Sequence, residues 1–355
     1  MKRYFVAIIC VLTCLVTYAQ IEWLDTVYDF GVFHEESGKQ YGKIRFVNKS
    51  GEPTIINRVK TTCGCTVADY PKEEIADGDT AVVNFSFNPE GRLGKFEKAV
   101  KIYYGIANEE KEILIRGRII GKSSTLKNQY PIEEGGLRLT TKSIILGNVV
   151  KGRSRHEFIH MYNQTNDTLQ IALGDAPGAM SLGLSDDIIY PGEIATISIY
   201  FNSILEENLG LNIYKFDIVA TGRNANVVVP IELTANIKEE RKKLTPEEAQ
   251  NAPMIFIEKN LIDLGNVVSG KIIKASFYIS NEGKSELQIK RIYSIEESIA
   301  VKRMPTKLSA GDKKEVEIEI DSSKIPQGVF NVKLEIISND PLHPTTMLRI
   351  VGEKK

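Results

Sequence analysis

The sequence Asp29-Phe30-Gly31-Val32 recurs twice further along the chain, each time as an apolar residue followed by glycine. The later copies are Ile145-Leu146-Gly147-Asn148-Val149 and Asp263-Leu264-Gly265-Asn266-Val267. Each copy opens a run of residues that favours a β-strand. Repetition at a regular interval indicates a fold assembled from similar units. The chain of 355 residues is therefore predicted to contain three such units.

Two further landmarks follow in the same order in every unit. The first is a strand that ends on asparagine: Arg45-Phe46-Val47-Asn48, Met161-Tyr162-Asn163 and Tyr278-Ile279-Ser280-Asn281. The second is a turn: Asp77-Gly78-Asp79, Pro191-Gly192-Glu193 and Ala310-Gly311-Asp312. Each turn precedes a strand of alternating apolar and polar residues, which is typical of a sheet with one buried face. Because the first turn recurs in this way, we do not interpret it as part of a calcium-binding loop.

These repeats predict an all-β protein of three tandem Ig-like β-sandwich domains after a signal peptide. Short strands separated by Gly, Pro, Asn and Asp, in units of about a hundred residues, are typical of such sandwiches. The predicted boundaries are 1–19 for the signal peptide, then 20–121, 136–238 and 252–355 for the domains. The polar segments 121–136 and 238–253 are interpreted as linkers. We expect an elongated string of three domains, with a helical turn after Pro246.

The N-terminus has the organisation of a secretory signal. Lys2 and Arg3 precede an apolar run from Tyr4 to Val16, and Thr17-Tyr18-Ala19 supplies small residues for cleavage. The run is too short to span a membrane comfortably, and no later segment is a membrane-span candidate. We expect cleavage near Ala19 and export to the periplasm or outer surface of a Gram-negative bacterium. The alternative is a lipid anchor on Cys14, but Thr13 fits a lipobox poorly.

The charge balance argues against polyanionic partners. The chain carries 45 basic and 46 acidic residues, so no excess of positive charge favours nucleic acid or an anionic membrane surface. Neither is an expected partner.

The first unit carries motifs that resemble a known family. They are Phe30-Gly31, Val59-Lys60-Thr61-Thr62-Cys63-Gly64-Cys65-Thr66, Ile75-Ala76-Asp77-Gly78-Asp79 and Gly91-Arg92-Leu93-Gly94-Lys95-Phe96-Glu97-Lys98. In this order they resemble a bacterial exported domain of unknown function with a Cys-Gly-Cys-Thr loop. That family is similar to the Ig-like ASH, Hydin and major-sperm-protein domains. The resemblance implies a fold and a compartment, and it implies no settled activity.

Cys63 and Cys65 are the candidate functional residues of the first unit, because Cys10 and Cys14 leave with the signal peptide. Gly64 lets the backbone curl, so the two sulfur atoms could form a tight disulfide or bind a soft metal such as Cu(I). Three interpretations remain: a structural pair, a redox pair and a metal site. We favour the structural pair, then redox, and Cys63 and Cys65 are only weak candidates as metal ligands.

The segment His156-Glu157-Phe158-Ile159-His160 spells the H-E-x-x-H pattern of zinc proteases. That pattern needs a helix, on which a four-residue step rises about 6 Å and both imidazoles reach one ion. The repeats align this segment with strands in the other two units. On a strand the histidines stand about 13 Å apart, too far for bonds of about 2.1 Å to a single zinc. We therefore interpret the match as accidental.

No hydrolase elbow, P-loop or Rossmann glycine pattern occurs, so we predict no enzyme activity, no catalytic residue and no cofactor. The leading hypothesis is a cell-envelope binding or scaffolding protein whose partners are other envelope proteins or glycans. The alternative is a thiol-redox or copper-handling protein that uses Cys63 and Cys65.

Overall fold

The protein is all-β and Ig-like, as the repeats predict. The computed structural model describes residues 20–61, 66–224, 226–240 and 243–355. The predicted signal peptide, Cys14 and the pair Cys63 and Cys65 lie outside the described residues. In the part of the chain that is described, no helix is long and apolar enough to cross a membrane.

The first sandwich packs two four-stranded sheets against each other. Its strands are β1 (Gln20–Trp23), β2 (Val27–His34), β3 (Gln40–Lys49), β4 (Ile56–Thr61), β5 (Thr66–Asp69), β6 (Thr80–Phe87), β7 (Gly94–Tyr104) and β8 (Glu109–Ile120). The sheets have the orders β1-β3-β6-β5 and β2-β8-β7-β4. Inward side chains of both sheets, including Ile44, Phe46 and Ile113, form one core cluster. A short 3-10 helix, Glu35–Ser37, follows β2.

The second sandwich has two five-stranded sheets. After helix α1 (Ser123–Leu126), its strands are β9 (Ile132–Glu134), β10 (Leu137–Leu139), β11 (Ser143–Val150), β12 (Ser154–Asn163), β13 (Leu169–Leu173), β14 (Met180–Leu184), β15 (Ile188–Ile189), β16 (Ile194–Asn202), β17 (Gly210–Thr221) and β18 (Asn226–Lys238). The sheets have the orders β14-β16-β12-β10-β9 and β11-β18-β17-β13-β15.

The third sandwich follows helix α2 (Pro246–Gln250). Its strands are β19 (Ile255–Ile257), β20 (Leu261–Val267), β21 (Ile272–Asn281), β22 (Leu287–Tyr293), β23 (Ile299–Arg303), β24 (Lys307–Leu308), β25 (Lys313–Asp321), β26 (Gly328–Ser338) and β27 (Thr345–Lys354). The sheets have the orders β19-β21-β25-β23 and β20-β27-β26-β22-β24. A 3-10 helix, Ser322–Lys324, precedes β26.

The repeated apolar-Gly sequence forms a β-bulge in each sandwich. It lies on β2, β11 or β20, and each of these strands runs parallel to the last strand of its own sandwich. At the glycine the early strand has one residue more than its partner, so the register shifts. Gly31, Gly147 and Gly265 have φ angles of 68°, 65° and 60°. A bulge residue in this region favours glycine, which explains why the glycine recurs.

The repeated asparagines tie each sandwich together at one turn. Asn48, Asn163 and Asn281 are 0% exposed. The side-chain amide of each donates to two backbone carbonyls: Glu52 and Ile75, Asp167 and Ile189, Ser285 and Leu308. Each side-chain oxygen accepts the backbone N–H two residues further on. The bond to Ile75, Ile189 or Leu308 joins the end of the strand to a segment 26 or 27 residues further on, and the other bonds fix the turn that follows the asparagine.

The segment 121–136 is more ordered than the predicted polar linker. Leu126 and Tyr130 are buried, and β9 joins the sheet of the second sandwich through β10. The polar composition concealed these few apolar anchors. The second predicted linker does contain a helical turn after Pro246, capped by Thr245 and Glu248 in a capping box. The domain boundaries themselves stay a prediction.

Candidate functional site

The H-E-x-x-H segment lies on strand β12, as the repeats predict. His156 pairs with Tyr200 and His160 pairs with Thr196 on the neighbouring strand β16. His160 Nδ1 lies 2.9 Å from the Thr196 hydroxyl oxygen, and the His156 ring meets the Tyr200 ring edge to face at 4.7 Å. Among the described residues no group of three or more His, Cys, Asp or Glu side chains could hold a metal ion. The segment therefore has the geometry of a strand surface and not of a protease zinc site.

The junction between the first and second domains is built around a buried carboxylate. Glu35 is 4% exposed, and it accepts hydrogen bonds from the backbone N–H groups of Gly91 at 2.9 Å and Lys122 at 3.0 Å. The hydroxyl of Thr125 donates to it at 2.9 Å, and the Lys122 ammonium group lies 3.6 Å away. Burial alone would raise the pKa of Glu35, but these donors outweigh burial and leave that pKa below its ordinary value.

Tyr162 closes the same junction from the second domain. Its hydroxyl accepts the backbone N–H of Gly121 at 2.8 Å and donates to the carbonyl of Ile119 at 3.3 Å. Its ring packs against Tyr130 at 5.5 Å and belongs to a small buried cluster with Leu126. The end of the first domain, the helix α1 segment and the second domain therefore share one packed interface.

The recurring turn at Pro191-Gly192-Glu193 touches the first domain. Glu193 forms an ion pair with Arg118 on β8. A β-carbon on Gly192 would lie 3.0 Å from the carbonyl oxygen of Ile119, so the two backbones approach closely at this point. This turn therefore contributes to the junction as well as to its own sandwich.

The junction between the second and third domains uses a tyrosine and an arginine. The Tyr293 hydroxyl accepts the backbone N–H of Leu211 at 2.8 Å and donates to the Glu335 carboxylate at 2.6 Å. Arg291 lies over the Tyr293 ring at 3.9 Å and donates to the carbonyl of Leu209 at 2.6 Å. Burial, followed by the bond to Glu335, raises the pKa of Tyr293 to about 12. The phenol is therefore protonated and available as a donor at neutral pH.

Apolar packing is continuous across this second junction. Tyr293 and Ile337 of the third domain belong to the core cluster of the second domain. Gly210 has a φ of 88°, and a β-carbon there would lie 2.5 Å from the Tyr293 hydroxyl oxygen and 2.7 Å from Ile337. Only glycine leaves room for the third domain to dock so closely.

A second feature is the outer face of the sheet formed by β14, β16 and β12. We define the second-domain face by nine outward residues in three rows across these strands. The rows are His156-Tyr200-Ser181, Phe158-Ser198-Gly183 and His160-Thr196-Ser185, where Ser185 directly follows β14. Phe158 is 54% exposed and Tyr200 is 38% exposed. The face therefore presents aromatic rings, imidazoles and hydroxyl groups to solvent.

Sequence reasoning missed both features. The junction residues Tyr162 and Tyr293 lie on strands, where their sequence context is that of ordinary core residues. Leu126 and Tyr130 are apolar residues within a polar segment, and they are the signal in the sequence that indicates the first junction. The second-domain face includes two residues that were considered only as zinc ligands, His156 and His160. A position-by-position comparison of the three repeats would have shown how unusual its composition is.

Two parts of the chain match families. Residues 21–119 match the family described as protein of unknown function (DUF1573). Residues 253–353 match the HYDIN/CFA65/VesB-like, Ig-like domain. No curated protein matches the chain.

Several solved structures are similar to parts of the chain. A protein of unknown function from Porphyromonas gingivalis W83 is 17% identical, with 62% of this chain and 100% of that chain covered and a TM-score of 0.48. The ASH/PapD-like domain 7 of human CEP192 is 11% identical, with 33% and 94% covered and a TM-score of 0.25. Similarities of this size carry no functional information. Residues 21–119 thus match a domain family of unknown function, and residues 253–353 match an Ig-like family.

Proposed function

We propose that the protein is a non-enzymatic binding or scaffolding protein of the cell envelope. The observation that carries this proposal is that both junctions between domains are packed and hydrogen-bonded, through Tyr162 at the first and Tyr293 at the second. Ig-like sandwiches offer edge strands and end loops to partners. Fixed junctions set the spacing and orientation of those surfaces, which is what a scaffold has to supply.

The composition of the junctions supports a fixed arrangement. Glu35 and Arg291 lose much of their hydration when the domains dock. The free-energy cost of this loss is offset only when hydrogen-bond or ion-pair partners within the protein satisfy the charged groups. Independent domains joined by free linkers have no need of these anchors. The single enzyme motif in the sequence, at His156 to His160, lies on a strand and lends no support to catalysis.

Export and partner class are part of the proposal. The N-terminal residues 1–19 have the charge and hydropathy of a signal peptide, which directs the chain to the periplasm or outer surface. Other envelope proteins or glycans are the partners that this address offers. We retain simple cleavage near Ala19, with the lipid anchor on Cys14 as the alternative.

The proposal is tested by capture of partners from envelope extracts of the bacterium that makes the protein. The purified exported chain is compared with a junction variant that combines Arg291→Ala with Tyr293→Phe, and with Tyr41→Phe as an exposed control. A scaffold recovers reproducible partners, and the junction variant loses those that contact two domains. If nothing reproducible is captured while the purified chain turns over a substrate, the proposal is wrong.

A further inference from the structure

The second-domain face has a composition that suits a particular kind of ligand. Outward residues on one strand repeat about every 6.6–7 Å, and neighbouring strands lie about 4.8 Å apart. The nine positions therefore form three rows across three neighbouring strands. Every row places an aromatic or imidazole ring on β12 and a small hydroxyl residue or glycine on β14 or just after it.

The corresponding face of the third domain is strongly charged. Lys274 pairs with Glu319, Ser276 with Glu317 and Tyr278 with Glu315 at the positions that His156-Tyr200, Phe158-Ser198 and His160-Thr196 occupy in the second domain. Ion pairs from Lys302 to Glu319 and from Arg303 to Glu317 complete that charged face. The first domain likewise carries Lys43 and Arg45 on the equivalent strand β3.

The second-domain face, in contrast, contains no Asp, Glu, Lys or Arg among its nine described positions. Ser181, Ser198 and Thr196 each pair with a ring-bearing residue on the neighbouring strand, and the Ser185 hydroxyl accepts the backbone N–H of Thr196. A hydroxyl group both donates and accepts hydrogen bonds, and each imidazole adds two ring nitrogen atoms that can form them. The face therefore matches a ligand that is itself uncharged and rich in groups that donate and accept.

We propose that the second-domain face binds a neutral glycan. The C–H groups of a sugar ring pack against the electron-rich faces of aromatic rings, and Phe158 and Tyr200 supply two such rings. Sugar hydroxyls pair with the serine, threonine and histidine groups between and beside them. This inference rests on the proposed binding function and names the class of ligand and the site.

The middle row of the face, Phe158-Ser198-Gly183, supplies the central contacts to the ligand. Phe158 stands beside Ser198, whose hydroxyl lies 3.4 Å from the carbonyl oxygen of Gly183. A β-carbon on Gly183 would lie 2.6 Å from the Ser198 hydroxyl oxygen, so this hydroxyl occupies the space over Gly183 and is presented to a ligand beside the exposed Phe158 ring. The Tyr200 hydroxyl is held by Ser154 at 2.8 Å and the His156 ring contacts the Tyr200 ring, so these groups are oriented before a ligand arrives.

A protein partner fits this face less well. The centres of protein interfaces are enriched in Tyr, Trp, Phe, Met and Arg and depleted in Ser. Here Ser154, Ser181, Ser185 and Ser198 are all in or beside the face. An acidic glycan would be expected to require Lys or Arg, which the nine positions lack.

The test is affinity electrophoresis of the full exported chain in gels that contain galactomannan, xyloglucan or dextran as neutral probes and alginate as the acidic probe, together with a glycan array. We expect retardation or array binding with at least one neutral glycan. Phe158→Ala weakens this binding by about tenfold or more. The matched control is Tyr278→Ala, which removes an exposed ring from the equivalent strand of the third domain and leaves the binding unchanged.

Ser198→Lys is a second variant, because it introduces a charge into the middle row and removes no ring. It also abolishes binding if the proposal is right. The proposal is overturned if the chain binds no neutral glycan, binds only acidic ones, or binds equally well after Phe158→Ala. Capture of an envelope protein that depends on Phe158, without any glycan binding, also overturns it and leaves the proposed scaffold function standing.

Discussion

Tyr162 and Tyr293 make equivalent contacts at the two junctions. Each lies in the domain that follows its junction, and each hydroxyl accepts a backbone N–H of the preceding segment at 2.8 Å, from Gly121 and from Leu211. Each hydroxyl also donates, to the carbonyl of Ile119 or the carboxylate of Glu335. A phenol that is both acceptor and donor at a buried interface specifies the relative position of two domains more closely than apolar contact does.

Tyr293→Phe should weaken the second junction. The substitution keeps the ring but removes the hydroxyl that accepts the N–H of Leu211. Loss of the partner of this half-buried donor costs about 1 kcal/mol, the lower end of the range for buried groups. We expect a lower unfolding temperature by calorimetry and faster proteolysis between residues 238 and 253. Tyr41→Phe, at a well-exposed tyrosine of the first domain, should change neither quantity. Equal behaviour of the two variants would show that the hydroxyl does not hold the junction.

The first junction should loosen in acid through Glu35. Its pKa is lowered in the folded protein, because the hydrogen bonds it accepts outweigh the opposing effect of burial. The stabilisation it provides is therefore complete above the ordinary carboxyl pKa of about 4.3 and is lost as the pH falls through the lower folded value. Glu35→Gln should destabilise the chain by roughly 1–3 kcal/mol at pH 7 and by less at about pH 3. Denaturant titrations at both pH values measure the difference.

Glu36→Gln is the matched control for that experiment. Glu36 is the next residue of the same 3-10 helix, but it is exposed. We expect little change in stability at either pH. A pH-independent loss in Glu35→Gln would mean that the carboxylate charge contributes nothing and that shape alone matters.

Asn281→Ala should destabilise the third domain. The substitution removes the side-chain NH2 group that donates to the carbonyls of Ser285 and Leu308. It also removes the side-chain oxygen that accepts the N–H of Gly283. We expect a cost of roughly 2–4 kcal/mol, since these groups are buried or half-buried. Asn331→Ala, at an exposed position on β26, is the control and should lie within about 0.5 kcal/mol of the wild type. Similar unfolding midpoints for the two variants would contradict the role assigned to the buried asparagine.

The pair Cys63 and Cys65 is tested by chemistry. Intact mass with and without a thiol-alkylating reagent shows whether the two are bonded, and it also reports the cleavage site near Ala19. We expect the double variant Cys63→Ser and Cys65→Ser to lose stability and to keep partner binding. Loss of copper uptake or disulfide exchange with intact folding would instead favour the redox or copper alternative, and unchanged stability, partner binding and phenotype would exclude it.

The fold could be predicted because its strongest signals are local. Gly31, Gly147 and Gly265 mark bulges, and the buried asparagines mark turns, so each signal occupies a few consecutive residues. The same alignment placed His156 and His160 on a strand and removed the protease hypothesis. The Ig-like class and the match to the family of unknown function are confirmed.

The junctions could not be predicted because their contacts join distant parts of the chain. Tyr293 meets Leu211 across 82 residues and Glu35 meets Lys122 across 87 residues. Whether such residues meet depends on how two complete domains dock, and no local pattern encodes that. The second-domain face was missed for a different reason, since its three serines and one threonine are ordinary residues in the sequence and only the sheet brings them together.

The parallel pairing beside each bulge bears on how the chain acquires its structure during synthesis. In the first domain Val27 aligns with Leu114, and the third domain repeats the arrangement with Leu261 and Arg349. The first long strand of each unit therefore has no pairing partner until the last strand has left the ribosome or the export channel. Until then the first long strand can pair with the last strand of a neighbouring unit, because the register of this pairing is the same in every unit.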